Sequence, residues 1–308
     1  MPTRSPVMPS EKELRQLAAT RRRRQVQRRR ASALGALGVL VLAVSIAIEA
    51  GSSGQGRKDG SAAPHVAVVP PPGEATRRRL AAESRAIDHV MDYASFIASG
   101  GGTKREIALT FDDGPGPYTA QVLRILRQFH VKATFFEVGF MERWFHSSTT
   151  KALQEGHTIG DHTERHAKLA RLKRPEQREQ IVSQAEWLEK LGAPRPRLFR
   201  PPFGSFDART FRVLRNNEML MVLWSVDSQD YRRPGAKAIV RRVLSAAKPG
   251  AIVLMHDAGG RRSQTVAALP EIIRKLRKRN FKLVTVPQLI MDDPPPPGQR
   301  LPRYRGVG

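Results

Sequence analysis

The chain has 308 residues, a formal net charge of +25 and no cysteine. It is too long for one average domain, although single α/β barrels reach about 200–250 residues. The absence of cysteine excludes disulfides and thiolate zinc sites, and a hydrophobic fraction of 40% is enough for a sizeable core.

The first fifty residues carry a targeting pattern. Residues 1–30 form a basic segment, expected to be disordered and cytoplasmic, whose arginine-rich end directly precedes an uncharged apolar run over 31–48. A run of this length can span a bilayer as a helix, and the arginines keep their flank cytoplasmic. We therefore expect a transmembrane signal anchor over 31–50, in the cell membrane, with the rest of the chain outside. A cleaved signal peptide, which would give a secreted protein beginning near Gly51, and a buried soluble helix are the alternatives.

The remainder of the chain is also basic. Positive charge can indicate binding to nucleic acid, but the expected export argues against that partner. Outside the cell, a basic surface would favour an anionic wall or lipid headgroups. A merely solvated surface is the alternative, and the oligomeric state is left open.

Composition also delimits the segments that flank the central region. Gly, Ser, Ala and Pro dominate residues 51–75, which is typical of a flexible linker. Residues 76–103 begin with apolar residues at helical spacing, which predicts a helical stalk or a segment docked on the domain. The Pro-rich residues 291–308 predict a disordered tail.

Between residues 104 and 290, apolar strands alternate with amphipathic helices, which favours a parallel sheet. We expect a distorted (β/α) barrel with about seven parallel strands. The predicted strands cover 107–111, 133–138, 198–199, 220–226, 252–255 and 281–286, and residues 158–160 lead into two histidines. The predicted helices cover 119–129, 148–155, 175–191, 207–215, 236–247 and 265–279.

Polar residues cluster where the predicted strands end. In a parallel barrel the carboxyl ends of the strands meet at one face, and chemistry gathers there. The clusters are Asp112 with Asp113, His162, Arg200, Asp227 with Asp230, and His256 with Asp257.

Two of these clusters predict a metal-dependent hydrolase. Asp113 with His162 and His166 offers one carboxylate and two imidazoles. Two adjacent buried carboxylates, such as Asp112 and Asp113, need a cation or a proton to offset their repulsion. The histidines would lie on one face of a helical turn. Zn²⁺ suits this set, with Co²⁺ or Mn²⁺ also compatible, and Asp112 is left free to take a proton from water. Taken alone, each cluster could instead be a polar turn or an exposed histidine pair.

Two further groups complete the expected chemistry. Asp230 could hold His256 cationic, ready to act as an acid. Arg200 could pair with Asp112 and keep it ionised. The alternatives are a partly exposed histidine at a strand end and an ordinary surface arginine.

Five sequence motifs now stand in order: 110–115, 162–166, 200–204, 227–231 and 254–257. They read Thr-Phe-Asp-Asp-Gly-Pro, His-Thr-x-x-His, Arg-Pro-Pro-Phe-Gly, Asp-Ser-x-Asp-Tyr and Leu-Met-His-Asp. Together they resemble the motifs of the polysaccharide deacetylases, the family 4 carbohydrate esterases with a NodB-type domain. The resemblance covers about residues 104–290 and does not extend to the N-terminal hundred.

The resemblance implies a role for each motif residue. It assigns the metal to Asp113, His162 and His166, the general base to Asp112, its orientation to Arg200, and the general acid to His256 tuned by Asp230. It also implies that Leu254 lines the pocket for the acetyl methyl group, and that the backbone N–H of Phe203 contacts the oxyanion. The substrate-binding candidates are Phe203, Leu254, Trp224 and Tyr231.

The chain departs from the family pattern at three positions. Tyr231 stands where the family usually has Trp, Phe203 where it has Tyr, and Asp161 where it has Asn. The first two changes bear on the fit of the substrate. The added carboxylate of Asp161 is expected to tighten the metal or to raise the basicity of the histidines.

The implied activity is removal of N-acetyl groups from N-acetylhexosamine units of an extracellular glycan, with peptidoglycan favoured. An O-acetyl esterase acting on xylan or another glycan and a non-catalytic wall-binding protein are the alternatives.

Overall fold

Helices and strands alternate through most of residues 71–301, the part of the chain that the computed structural model describes. The helices are α1 (Glu74–Tyr93), α2 (Thr119–Gln128), α3 (Gly139–Gln154), α4 (Arg174–Lys190), α5 (Ala208–Asn216), α6 (Ala236–Ala246), α7 (Ser263–Lys278) and α8 (Val286–Asp292). The strands are β1 (Phe96–Ile97), β2 (Glu106–Asp112), β3 (Thr134–Glu137), β4 (Thr158–Asp161), β5 (Leu198–Phe199), β6 (Leu220–Val222), β7 (Val226–Asp227), β8 (Ala251–His256) and β9 (Lys282–Val284).

The strands form one curled, barrel-like sheet. Its order is β1-β6-β5-β4-β3-β2-β8-β7, with β9 also paired to β2, and the strand pairs are parallel. Because the strands run in one direction, their carboxyl ends lie along one edge. We call the edge formed by the ends of β2, β4, β5 and β8 the carboxyl edge.

Alternate side chains along the strands pack into different hydrophobic layers, as the two-residue period of a strand requires. In β2, Ile107 and Leu109 pack in a cluster that includes α2 and α7. Ala108, between them, belongs to a second cluster with Ile87 of α1 and Leu289 of α8. The sheet is therefore covered on both faces, and α1 packs on the domain.

The expected strand over 220–226 is two separate strands. β6 pairs with β1 and β5, whereas β7 pairs with β8 on the other side of the sheet. Between them, Leu223 N–H donates to the Ile97 carbonyl and Ser225 N–H to the Ile252 carbonyl. The segment 223–225 thus crosses from one side of the curl to the other. With this division and the short β1, the described chain has nine strands rather than about seven.

The C-terminal segment differs from the expected disordered tail over 291–308. Asp293 accepts hydrogen bonds from the backbone and hydroxyl of Thr103 and from the backbone of Lys104. The side chain of Gln299 bonds to the backbone of Ala98 and Ser99. These polar contacts hold residues 293–299 against the domain, and only 302–308 of the expected tail lie outside the described residues.

Several N-terminal expectations fall outside the described residues: the cytoplasmic segment 1–30, the membrane helix over 31–50 and most of the linker over 51–75. Of the helices that the structure describes, none combines the length and the apolar character needed to cross a bilayer.

Candidate functional site

The carboxyl edge brings together polar residues that are far apart in the sequence. Asp112 and His256 are the last residues of β2 and β8, and they are direct register partners across these strands. His162 follows β4, and Arg200 follows β5. Parallel pairing therefore assembles one site from four strand ends.

Asp113, His162 and His166 form a compact group at this edge. Their ligand atoms all lie within 4.8 Å of one another, and Asp113 Oδ1 is 3.0 Å from His166 Nε2 and 3.6 Å from His162 Nε2. Burial opposes ionisation of Asp113, but the imidazoles of His166 and His162, with His256 beyond them, hold its pKa well below the usual value. The group therefore presents an ionised carboxylate to two imidazoles.

This donor set fits a divalent cation. Two imidazole nitrogens and one carboxylate leave coordination positions open, as in catalytic zinc sites. The buried Asp113 Oδ1 has no hydrogen-bond partner among the described residues. His162 Nδ1 lies 2.6 Å from the Arg200 carbonyl oxygen, which orients the ring and leaves Nε2 for the cation. Asp113, His162 and His166 are thus the residues that would hold a metal.

The histidine pair does not lie on a helix. Residues 162–168, which follow β4 and carry both histidines, are not helical. Thr163 and His166 have φ values of 69° and 55°. Asp113 also has a positive φ, at 71°. The two rings are nevertheless 5.0 Å apart. Such conformations are strained for residues other than glycine and cluster at functional sites.

Asp161 has a structural role that its position beside the histidines did not indicate. Its Oδ1 accepts a 2.7 Å hydrogen bond from Thr163 N–H, which holds the strained backbone of the histidine segment. Burial raises the pKa of Asp161 well above its ordinary value. Burial thus favours the uncharged form of this carboxyl group, which works against the expected added negative charge beside the two histidines.

Arg200 holds Asp112. Its Nη1 donates a 2.7 Å hydrogen bond to Asp112 Oδ1, while Nε and Nη2 donate to the carbonyls of Val222 and Leu223. Arg200 is fully buried, which excludes an ordinary surface arginine. Asp112 Oδ2 lies 3.9 Å from His162 Nε2, beside the group of Asp113, His162 and His166. Asp112, the candidate base, is therefore held by Arg200 through Oδ1, and its Oδ2 faces His162.

His256 and Asp230 form a buried ion pair. Asp230 Oδ1 is 2.7 Å from His256 Nδ1, and its Oδ2 accepts the His256 backbone N–H and the Thr265 hydroxyl. Burial works to lower the pKa of His256, but the charge and hydrogen bond of Asp230, with Asp113 and Asp112, raise it to about 9. The imidazole is therefore protonated at neutral pH.

Two aromatic side chains lie beside these groups. The Phe203 ring is 4.5 Å from the His166 ring, and Phe203 is 54% exposed. The Tyr231 ring is 5.5 Å from the His256 ring, and its hydroxyl donates to Asp227. Both are placed where a substrate can reach them.

The other two substrate-binding candidates are less accessible. Leu254 is a buried residue of β8 paired with Thr110, two positions from the acid–base pair. Trp224 is half-buried, lies 5.8 Å from the Arg200 guanidinium and lines a cavity with Ser99 and Lys248. Trp224 therefore lies beside Arg200, the residue that holds Asp112.

Arg262 was not identified from the sequence. It is buried, its Nε donates to the Ala258 carbonyl, and its Nη2 lies 3.7 Å from Asp113 Oδ2. The guanidinium therefore faces the carboxylate oxygen that points away from His166. The only signal in the sequence is two glycines and two arginines shortly after the strand that ends at His256.

Comparisons with known proteins agree with the family resemblance. Residues 99–222 match the family model described as polysaccharide deacetylase. A peptidoglycan-N-acetylglucosamine deacetylase of Bacillus cereus is 42% identical over 187 residues, which is 60% of this chain and 87% of that protein. A chitooligosaccharide deacetylase of a Bradyrhizobium species is 36% identical over 199 residues, 60% of this chain and 90% of that protein.

A solved structure has the same fold. The crystal structure of a peptidoglycan N-acetylglucosamine deacetylase in complex with 4-naphthalen-1-yl-N-oxidanyl-benzamide has a TM-score of 0.62 and 35% identity. The alignment covers 66% of this chain and 96% of that one.

Proposed function

The chain belongs to the polysaccharide deacetylase family, and we propose that it is a metal-dependent enzyme of the bacterial cell wall. It is a hydrolase that cleaves the carbon–nitrogen bond of N-acetyl groups on a polysaccharide. The proposed substrate is an N-acetylhexosamine unit of extracellular peptidoglycan, and the proposed cofactor is one Zn²⁺. The observation that carries the proposal is the convergence of Asp113, His162 and His166 beside the Arg200-bound Asp112.

The roles of the protein groups follow from their hydrogen bonds. A divalent ion bound by Asp113 and the two histidines would polarise the acetamide carbonyl and lower the pKa of water. Since Asp112 Oδ1 is engaged by Arg200, Oδ2 is the atom that accepts the proton of the attacking water. The water oxygen bonds to the carbonyl carbon. His256 Nε2, the nitrogen not bonded to Asp230, gives its proton to the departing amide nitrogen. The products are acetate and a free amino sugar.

The substrate is held by the surrounding side chains in this proposal. Leu254 lines the acetyl methyl pocket, and the exposed faces of Phe203 and Tyr231 contact the sugar rings. Aromatic rings offer large, rigid apolar contact areas to such ligands.

The test is acetate release from peptidoglycan, chitin oligomers and acetylated xylan. We expect release from peptidoglycan that stops on chelation and returns with Zn²⁺. Asp112→Asn should lower kcat by about 10²–10⁴-fold, as for loss of a general base, without lowering the bound metal. Asp92→Asn, at an exposed position of α1, is the matched control. Unchanged release by Asp112→Asn would refute the assigned base, and faster release from xylan esters would favour the esterase.

We also propose that residues 31–50 anchor the enzyme in the cell membrane, with the catalytic domain outside. The support is the arginine-rich end of residues 1–30 followed by the uncharged run over 31–48. The test is extraction of membranes with alkaline carbonate. An anchored protein stays in the pellet, whereas release together with a mature N-terminus near Gly51 would indicate a cleaved signal and a secreted protein.

A further inference from the structure

The loops at the carboxyl edge carry exposed charge of one sign. We define the cationic rim as the exposed charged residues of 162–173, 228–235 and 257–262, which follow β4, β7 and β8. Each of these residues is a lysine or an arginine, whereas the acidic residues of the same loops, Glu164, Asp230 and Asp257, are buried. The cationic rim consists of Arg165, Arg171, Lys173, Arg232, Arg233 and Arg261.

A lysine lies close to the metal side of the site. The Lys168 ammonium is 4.9 Å from the centre of the Phe203 ring, which in turn is 4.5 Å from the ring of the metal ligand His166. Lys168 is half-buried, and Phe203 is exposed. A sugar that contacts Phe203 would therefore place its substituents next to this ammonium group.

An arginine occupies the corresponding place on the acid side. The Arg232 guanidinium carbon is 5.8 Å from the centre of the Tyr231 ring, which is 5.5 Å from the His256 ring. The half-buried Asp227 accepts the Tyr231 hydroxyl hydrogen bond and partly offsets this charge. His166 and His256 thus each have an aromatic ring beside them, and each ring has a cation near it.

We propose that Lys168 and Arg232 select glycans that carry carboxylates on or next to the sugar being deacetylated. The inference rests on the proposed function and adds that the enzyme prefers the carboxylate-bearing units of the glycan to uncharged ones. The carboxylate could belong to an acidic ether substituent of the sugar or to a peptide attached through it. The rim would raise the local concentration of such strands, and the two cations would pair with the charges nearest the site. A neutral glycan such as chitin has no carboxylates for these cations to attract, so its binding is not strengthened.

The test compares strands that differ only in charge. Peptide-free peptidoglycan strands are assayed before and after their carboxylates are converted to methylamides, with peptide-bearing strands and chitin oligomers alongside. We expect neutralisation to lower kcat/KM about three- to tenfold, mainly through KM, because exposed ion pairs contribute at this scale. The difference should shrink in 0.5 M salt, where screening is strong.

Variants assign the effect to the two cations. Lys168→Gln and Arg232→Gln should each lower the ratio of kcat/KM on charged strands to that on neutralised strands by about threefold, and Lys168→Arg should restore it. Lys278→Gln in α7 and Arg212→Gln in α5, exposed cations on helices outside the rim, are the matched controls. If only peptide-bearing strands show the charge preference, the recognised carboxylate belongs to the peptide; if peptide-free strands show it, it belongs to the sugar substituent.

Equal turnover of charged and neutralised strands by the unmodified enzyme would overturn the inference, as would an unchanged ratio in both Gln variants. Neither result would touch the proposed function, because acetate would still be released. Absence of acetate release from every glycan would instead refute the proposed function.

Discussion

At the scale of single residues, Asp230 contacts His256 twice, through the ring nitrogen and through the backbone N–H. Burial is the largest single influence and lowers the pKa of His256, but the charge and hydrogen bond of Asp230, together with the charges of Asp113 and Asp112, outweigh it and raise the pKa to about 9. In the proposed mechanism His256 is the general acid, and a general acid works only while it is protonated, so we expect the alkaline limit of activity to lie above neutral pH.

Asp230→Asn should therefore move the alkaline limb of the pH profile to lower pH. Loss of a charge-assisted hydrogen bond costs about 1.5–3 kcal/mol, which corresponds to a decrease of roughly one to two units in the pKa of His256. The measurement is kcat/KM against pH for both proteins at equal metal content. Superimposable profiles would show that another group sets this limb.

The sequence indicated most of the site at this scale because the relevant residues follow apolar strands. Asp112, Asp113, His162, His166, Arg200 and His256 all come together at the carboxyl edge. Other features have no sequence signal. The raised pKa of Asp161 depends on its burial, and the approach of Arg262 to Asp113 depends on the path of the loop after β8.

At the scale of elements, the loop after β8 lies against Asp113, one of the three residues that would hold a metal. Gly259 has a φ of 69°, and a Cβ at this position would lie 2.1 Å from Asp113 Oδ2. The loop and the carboxylate can therefore share this space only while residue 259 has no side chain.

Gly259→Ala should consequently weaken metal binding at least tenfold, because Asp113 must move. Gly298→Ala is the matched control, since its φ is also 69° but no atom lies within 4 Å of the added carbon. Both variants pay about 1–2 kcal/mol for the left-handed backbone, so the comparison isolates the contact with Asp113. Equal Zn²⁺ affinities, measured by competition with a chelating dye, would contradict the prediction.

The end of β3 and the helix α3 share two buried carboxyl groups. The Thr149 hydroxyl donates to Glu137 Oε2, and Gln184 donates to Glu142 Oε1. Burial, with repulsion from Asp257, raises the pKa of Glu137 to about 8. Glu137 is thus protonated in the folded protein at neutral pH but ionised in the unfolded chain.

The free energy of unfolding should therefore fall as pH rises from about 4.5 to about 8, because only the unfolded state loses the proton over this range. In the unmodified protein this decrease in the free energy of unfolding should be on the order of a few kcal/mol. Glu137→Gln cannot ionise, so the decrease should be absent in that variant. Denaturant unfolding at several pH values, with chelator present, measures the effect. Glu179→Gln, an exposed control on α4, should keep the pH dependence of the unmodified protein.

Hydrophobic spacing predicted the long elements and missed two features of the chain path. The division between β6 and β7 depends on hydrogen bonds from Leu223 and Ser225 to distant strands, and the run over 220–226 contains no glycine, proline or charge that would mark a break. Helix α3 begins at Gly139, well before the expected start at 148, and Phe145 has non-helical angles within it. The sequence pattern did not predict the first half of this helix, which is rich in aromatic residues.

At the scale of the whole molecule, α1 and α8 join the two ends of the described chain. Ile87 of α1 is 2% exposed and packs in one cluster with residues of α8 and the sheet. Tyr93 and Gln299 add hydrogen bonds between the same ends. α1 is therefore part of the folded domain.

Ile87→Ala should lower the free energy of unfolding by about 2–5 kcal/mol, as for other large-to-small changes in a core. For a domain of this size, Tm should fall by roughly 5–15 °C. Arg85→Ala, at an exposed position of the same helix, should change stability by less than about 0.5 kcal/mol. An unchanged Tm for Ile87→Ala would show that α1 is dispensable for stability.

The direct pairing of Asp112 with His256 across β2 and β8 has a consequence for how such an enzyme can diversify. These residues, the base and the acid of the proposed mechanism, are separated by one strand spacing, about 4.8 Å between backbones, and the hydrogen-bonded pairing of β2 with β8 fixes that spacing. Loop insertions, deletions or grafts at the carboxyl edge can therefore retarget the enzyme to a new polymer without moving its acid relative to its base.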